Sequence, residues 1–213
     1  MGVSGARIGP FAFAGLALIS MAAFPSSAAR VSAREANADL AAHGQAAGKP
    51  LHVILELGEQ YESGDELYDA KITVVKVLRG APAEALVKSA SASNPTPPKG
   101  YEYVAARVRI EFSARVTPAN FDYAVDPSQF SSIAPDGSTY PAAKLAEQPA
   151  PALRGTLHSA DSTEGWVVLL VPRGDRTPLM LFVPNTGTTS HTGDSWVFRL
   201  YGAASLGSGD KSS

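Results

Sequence analysis

The sequence contains no cysteine among its 213 residues. This absence excludes disulfide bonds, cysteine nucleophiles, thiolate metal sites and a lipid anchor carried by a cysteine. Charged residues are scarce as well, at 18% of the chain against about 25% in a typical soluble protein. The formal net charge is only −2 and no basic stripe is present, so we expect no nucleic-acid partner.

Motifs for catalysis and for transition metals are also missing. The four histidines, His43, His52, His158 and His191, are far apart, and no pair has the spacing of metal ligands. No G-x-S-x-G nucleophile elbow occurs after residue 29. We therefore predict that the protein is not an enzyme and holds no cofactor.

Aspartates leave a calcium site as an alternative. Asp122, Asp126 and Asp136 flank one region of strand and turn, and Asp161 and Glu164 precede an apolar run. Calcium prefers several oxygen ligands on irregular backbone. However, no calcium-loop motif is present and aspartate is common in turns, so the sequence assigns no metal ligand.

The first 29 residues have the pattern of a signal peptide. Arg7 precedes an apolar run over 8–24, and small residues favour cleavage before Arg30 or, alternatively, after Ala33. We expect a secreted protein with no stable membrane insertion after cleavage, although an uncleaved anchor is the competing interpretation. The composition of 30–48 predicts a flexible leader, and that of 203–213 a flexible tail.

Residues 49–202 read as a series of short strands separated by turns. In YVAARVRIEF, the residues Val104 to Phe112 alternate apolar and polar, which predicts a half-buried strand with a wet outer face. A change of face near Val74–Val75 predicts a β-bulge. The unbroken apolar run Trp166–Val171 predicts a strand covered on both sides.

The fold class that follows is all-β, an antiparallel β-sandwich of seven to nine strands. The connector 79–100 interrupts the strands, and APAEALVKSA within it could form one or two helical turns. Pro135-Asp136-Gly137-Ser138 has the composition of a tight turn.

Several of these segments resemble a known family. The segments are ITVVKV, YVAARVRIEF, PDGSTY, EGWVVLLVP and LMLFV. Together they resemble secreted bacterial domains of unknown function with a telokin-like, immunoglobulin-like sandwich, related to a mycobacterial secreted immunogenic antigen. The resemblance implies an extracellular or cell-surface binding domain, and it supplies no catalytic residues.

Tyrosine and arginine side chains suggest one candidate binding face. Tyr103, Arg107 and Arg109 share the outer face of the third strand, and Arg199 and Tyr201 belong to the last strand. Both residue types are enriched at binding hot spots. If these two strands lie in the same sheet, the five side chains would form one surface. The alternative is an ordinary solvated face with cross-strand pairs.

A second surface motif is Arg173-Gly174-Asp175, an integrin-type tripeptide on a hairpin. Adhesion to a receptor is one interpretation, and a tight turn that requires Gly and Asp is the favoured one.

Two functional hypotheses follow from the sequence. The first is a non-enzymatic module that binds an extracellular or cell-envelope protein. The second is a small-molecule or glycan binder, or a hydrolase, with a pocket between the sheets or under 79–100.

Overall fold

The computed structural model describes residues 44–57, 67–115, 122–185 and 196–202. The predicted signal peptide 1–29, most of the leader and the tail 203–213 lie outside these ranges. The described strands are β1 (Pro50–Glu56), β2 (Leu67–Arg79), β3 (Tyr101–Ala114), β4 (Tyr123–Val125), β5 (Phe130–Ile133), β6 (Gly155–Leu157), β7 (Ser162–Pro172), β8 (Leu179–Phe182) and β9 (Trp196–Arg199). Within the same ranges, the α-helix α1 (Ala81–Ala90) follows β2, and a 3-10 turn covers Pro127–Gln129.

The strands form two main antiparallel sheets. The large sheet has the order β1-β2-β3-β7, the small sheet has the order β5-β8-β9, and β4 pairs with β6. Apolar side chains from both sheets meet in one buried core, which includes Ile72 and Ile110 of the large sheet and Phe182 and Phe198 of the small one. The predicted all-β antiparallel sandwich is therefore confirmed, while the immunoglobulin-like architecture that the resemblance implies stays a prediction.

Strand β3 lies at the centre of this arrangement. Its inward residues Val104, Val108 and Phe112 are at most 1% exposed, as the alternation predicts. The register between β2 and β3 shifts between Val74 and Lys76, which confirms the predicted bulge. The run over 166–171 is buried at every position, so β7 is the doubly covered strand expected from its composition.

Helix α1 changes the prediction for the outer face of β3. Gly80 starts the turn into the helix with a φ of 65°, a conformation that suits glycine, and its N–H donates to the Tyr103 carbonyl. The helix then buries Ala83 and Val87 against the sheet. The expectation of a wet outer face is therefore wrong for the part of β3 that lies under the helix.

Residues 44–48 correct the prediction of a flexible leader at its last positions. Gln45 forms a parallel bridge with Phe198, through backbone bonds to Val197 and from Arg199. The Gly48 N–H donates to the Val74 carbonyl. This short segment is therefore an additional edge of the small sheet, which the composition could not show because backbone pairing needs no apolar side chain.

Gly165 allows β7 to lie close to the backbone of residues 151–153. Trp166 donates to the Pro151 carbonyl, and a Cβ at Gly165 would lie 2.3 Å from the Leu153 nitrogen. Because any side chain at 165 would collide with backbone, glycine is required for this close approach. The approach also brings Arg154 to the side of the sandwich.

Candidate binding surfaces

The outer face of the large sheet is divided into two halves. On one half, Tyr103, Ala105, Val168 and Leu170 form an apolar cluster beneath α1. Trp166 belongs to the same cluster and is 6% exposed. We call this region the covered half, and we call the remaining part of the same face the open half.

Tyr103 belongs to the covered half, which corrects its assignment to the candidate binding face. Its side chain is 1% exposed, and its hydroxyl donates to the Pro95 carbonyl at 3.0 Å. Burial, with a smaller contribution from Glu84, raises the pKa of this phenol. The residue is part of the contact between sheet, helix and proline-rich loop, so it is not available to a partner.

Asn94 connects the helix over the covered half to a neighbouring loop. It is 1% exposed, and its amide nitrogen donates to the carbonyls of Val87 and Glu147 at 2.9 and 2.8 Å. Its oxygen accepts from the backbone of Ala146 and Glu147 at 2.8 and 3.0 Å. Four hydrogen bonds therefore tie the helix to the loop that follows β5.

The open half carries a ladder of polar side chains across the strands. His52 of β1 is opposite Lys71 of β2, which is opposite Glu111 of β3, and Glu111 is opposite Ser162 of β7. The ladder borders a shallow depression of about 810 Å³. We call it the charged groove; its charged or titratable lining residues include His52, Asp69, Lys71, Arg109, Glu111 and Arg115.

Ion pairs hold the side chains of the charged groove in place. Lys71 Nζ lies 2.8 Å from Glu111 Oε2, and Arg109 Nε lies 3.3 Å from the other oxygen of the same carboxylate. Arg115 Nε lies 3.0 Å from Asp69 Oδ2. Two cations share Glu111, so each is only partly compensated by it.

The carboxylate of Glu111 responds to these neighbours. The hydrogen bond from Lys71 is the main reason that the pKa of Glu111 is lowered, and the charges of Lys71, Arg109 and His52 act in the same direction. Glu111 is therefore ionised over the whole physiological pH range.

Arg107 lies where the two halves of the face meet. Its guanidinium forms an ion pair with Glu164, and its Cζ lies 5.8 Å from the centre of the Trp166 ring. Arg107 Nε is buried and has no hydrogen-bond partner of suitable geometry in the structure. Arg107 and Arg109 thus remain on the exposed face that the sequence proposed for them.

Arg199 and Tyr201 do not join these residues. Arg199 is the last residue of β9, in the small sheet, and its Nε donates to the Gly44 carbonyl at 2.7 Å. Tyr201 packs against a small cluster that contains Ile133, Leu179 and Val197. The predicted face required β3 and β9 to lie in one sheet. Because they lie in different sheets, the five residues do not form a single face.

A second concavity lies on the seam between the two sheets. It has a volume of about 280 Å³ and is lined by residues of β5, of β7, of the segment 140–154 between them, and of the 3-10 turn before β5. We call it the seam cavity; its lining includes Asp126, Ser131, Tyr140, Gln148, Arg154 and Leu170.

The three aspartates considered for calcium have separate partners. Asp126 accepts from the Ser128 N–H, Asp136 accepts from Ser138, and Asp122 pairs with His158. Hydrogen bonds lower the pKa of Asp126 and of Asp136, first from the Ser128 backbone and from the Ser138 side chain respectively. Within the described ranges, no three His, Asp or Glu side chains are arranged to hold a metal ion.

The Arg173-Gly174-Asp175 turn is tied to the sandwich. Asp175 Oδ2 accepts from the Tyr140 hydroxyl at 2.9 Å, and Oδ1 accepts from the Thr177 N–H at 2.9 Å. Arg173 Nε donates to the Tyr101 carbonyl at 3.0 Å. Both charged side chains therefore have structural partners, which favours the turn interpretation.

Comparison with known proteins adds little to this geometry. No family model and no curated protein matches the chain. The crystal structure of a putative lipoprotein (ycdA) from Bacillus subtilis is similar at 12% identity over 73% of this chain, with a TM-score of 0.46. The chain spans 40% of that protein's length, and the likeness is too distant to assign a function.

Among the described residues, we find no helix with the length and apolarity needed to span a membrane.

Proposed function

We propose that the protein is an exported, non-enzymatic binding domain that docks an extracellular or cell-envelope protein on its charged groove. This role is the one expected from the resemblance to secreted telokin-like domains. The observation that carries it is the open half of the large sheet, where Lys71, Arg109 and Arg115 stand beside Asp69 and Glu111.

The chemistry of the groove suits recognition of a folded protein. Both signs of charge alternate there, so a matching surface gains specificity through complementary pairs while a wrong partner meets like charges. Ile54 lies in the groove with 50% of its surface exposed and provides an apolar contact within the polar surroundings. A depression of about 810 Å³ that is open to solvent also matches a protein surface better than a buried small molecule.

The test is affinity capture from the envelope and medium of the producing cell. Lys71→Glu combined with Arg109→Glu would place like charges around Glu111, so we expect at least a tenfold loss of the captured partner. Lys99→Glu combined with Lys144→Glu changes the net charge equally, but both of those residues are exposed outside the groove and capture should persist. Tyr103 stays unchanged because its loss would disturb the fold.

Equal capture by the groove variant and the wild type would exclude the groove as the docking surface. Equal loss in both double variants would show that net charge alone governs binding. Circular dichroism of each variant establishes that the fold is intact.

A further inference from the structure

The two main sheets have four edges, and backbone pairing closes three of them. The closing bridges join Ala152 with Trp166 on β7, Thr139 with Ile133 on β5, and Gln45 with Phe198 on β9. The fourth edge is the side of β1 that faces away from β2. Within the described ranges, no backbone hydrogen bond reaches β1 from that side. Such an edge presents a row of N–H and C=O groups that can pair with another strand.

Strand β1 also lacks the features that protect an open edge. Its seven residues pair with β2 in one unbroken register, so no bulge bends the strand away. It contains no lysine, and its single proline, Pro50, is at the first position, where the carbonyl accepts from the Gln45 side chain. The remaining edge, 51–56, is therefore suited to pairing with a further strand.

Ile54 places an apolar side chain at this edge. It is 50% exposed, which makes it the most exposed large hydrophobic residue among those that the structure describes. Its neighbours Val53 and Leu55 face the core and are at most 1% exposed. A strand added beside β1 would cover part of Ile54 and would continue the core-facing row of apolar residues.

The sequence of β1 is self-complementary around Ile54. When two identical strands pair antiparallel about a two-fold axis, the axis passes beside one residue of each strand. With the axis at Ile54, this residue is opposite Ile54 of the second copy, and each His52 is opposite a Glu56. With the axis at Val53 or Leu55, Ile54 would instead be opposite His52 or Glu56. The register centred on Ile54 is therefore the one that matches apolar with apolar and base with acid.

We propose that the protein forms a two-fold symmetric dimer in which the β1 strands of two copies pair antiparallel, centred on Ile54. The two large sheets then continue as one sheet of eight strands, and both charged grooves lie on the same face of it. The added strand lies beside the open half and not above it, so Lys71 and Arg109 stay accessible. The dimer does not depend on the docking function proposed for the charged groove.

The association should be weak and reversible. Pairing along one strand edge buries less than the ~1,200 Å² of a standard interface, so we expect a dissociation constant of roughly 10 μM to 1 mM. Two grooves on one face would nevertheless strengthen binding to any target that presents two matching sites, because the second contact is made within the same complex.

Cysteine cross-linking tests the register directly, because the chain contains no cysteine of its own. Ile54→Cys should give a disulfide-linked dimer under mild oxidation, since Cα atoms of directly opposite residues lie about 4.5–5.5 Å apart. His52→Cys is the register control, because its two copies would be at least about 13 Å apart along the strands. Val183→Cys, at a site that is 48% exposed, controls for random collision.

Sedimentation equilibrium measures the reversible association of the purified chain from about 10 μM to about 1 mM. The wild type should change from monomer to dimer over this range. Ile54→Lys places like charges at the axis and should raise the dissociation constant at least tenfold. Val183→Lys makes the same kind of change at nearly equal exposure and should leave the association unchanged. His52→Glu should weaken the dimer, and adding Glu56→Lys should restore it.

Three results would overturn the proposal. The first is a chain that stays monomeric up to about 1 mM, which would leave β1 to another segment or to a different protein. The second is an equal effect of Ile54→Lys and Val183→Lys, and the third is no more cross-linked dimer from Ile54→Cys than from His52→Cys. The Lys71→Glu and Arg109→Glu double variant should still dimerise, so failure at β1 is distinguishable from failure at the charged groove. Circular dichroism establishes that each variant is folded.

Discussion

The covered and open halves lie on the same face of the large sheet and both include residues of β3. The covered half is nevertheless buried, whereas the open half is exposed to solvent. On β3, Tyr103 and Arg107 are four residues apart and face the same way. Tyr103 is opposite Leu170 of β7, whereas Arg109, two residues after Arg107, is opposite Glu164. The neighbouring strand and the helix above it decide which half is buried, because a side chain on a sheet packs mainly against its cross-strand partners.

The largest expected effect separates the two halves by stability. Tyr103→Ala removes a buried ring and leaves a cavity under α1, so it should lower the free energy of unfolding by about 3–5 kcal/mol. Arg109→Ala, on the same face of the same strand, should change it by about 0.5 kcal/mol or less. Urea denaturation of the two variants measures both values, and similar losses would mean that the two halves are not distinct.

The next effect concerns the amide that closes the covered half. Asn94→Ala leaves several buried backbone groups without partners, at a cost of about 1–3 kcal/mol for each group that water cannot reach. The expected result is a clear drop in the melting temperature and faster hydrogen exchange over α1. Ser93→Ala, at the exposed neighbouring position, is the matched control and should behave like the wild type.

The smallest effect belongs to the open half and depends on pH. The folded-state pKa of Glu111 is lowered, so its contribution to stability is present above the usual value of 4.5 and is lost as the pH falls through the lowered value. Because the side chain is partly exposed, that contribution should be at most about 1 kcal/mol.

Comparison with Glu111→Gln measures this contribution. The wild type should be the more stable protein at pH 7, and the difference should shrink towards zero in strong acid. It should also fall as salt is added, since salt screens exposed charges. A difference that is constant with pH would show that the ion pairs on Glu111 do not contribute to folding.

Much of the sandwich could be predicted from local pattern. The alternation in β3, the bulge after Val74 and the covered strand β7 each depend on residues that are near one another in sequence, and the structure confirms all three. The sequence predicts one or two helical turns within 79–100, and the structure has a longer helix of 10 residues. Its position could not be predicted, because packing of a short helix on a sheet is a tertiary contact.

The residues of the charged groove were even harder to predict from the sequence than the position of the helix. Lys71 and Glu111 are 40 positions apart, and only the strand register brings them together. Alternating charges on two separate strands were a visible signal, but without the register they could be matched in several ways. The sequence therefore predicts exposed positions for Arg107 and Arg109, does not point to Lys71, Asp69 and Arg115, and wrongly groups Tyr103, Arg199 and Tyr201 with the two arginines.

The bridge between Gln45 and Phe198 has a mechanical consequence. The segment at 44–46 and strand β9 run parallel, so tension between the two ends of the domain would act along the strands and not across them. The two backbone bonds at Gln45 and the bond from Arg199 to Gly44 would then bear the load together and could not open one after another. In a domain held at one end and pulled at the other, this pairing between 44–46 and β9 would therefore be loaded in shear.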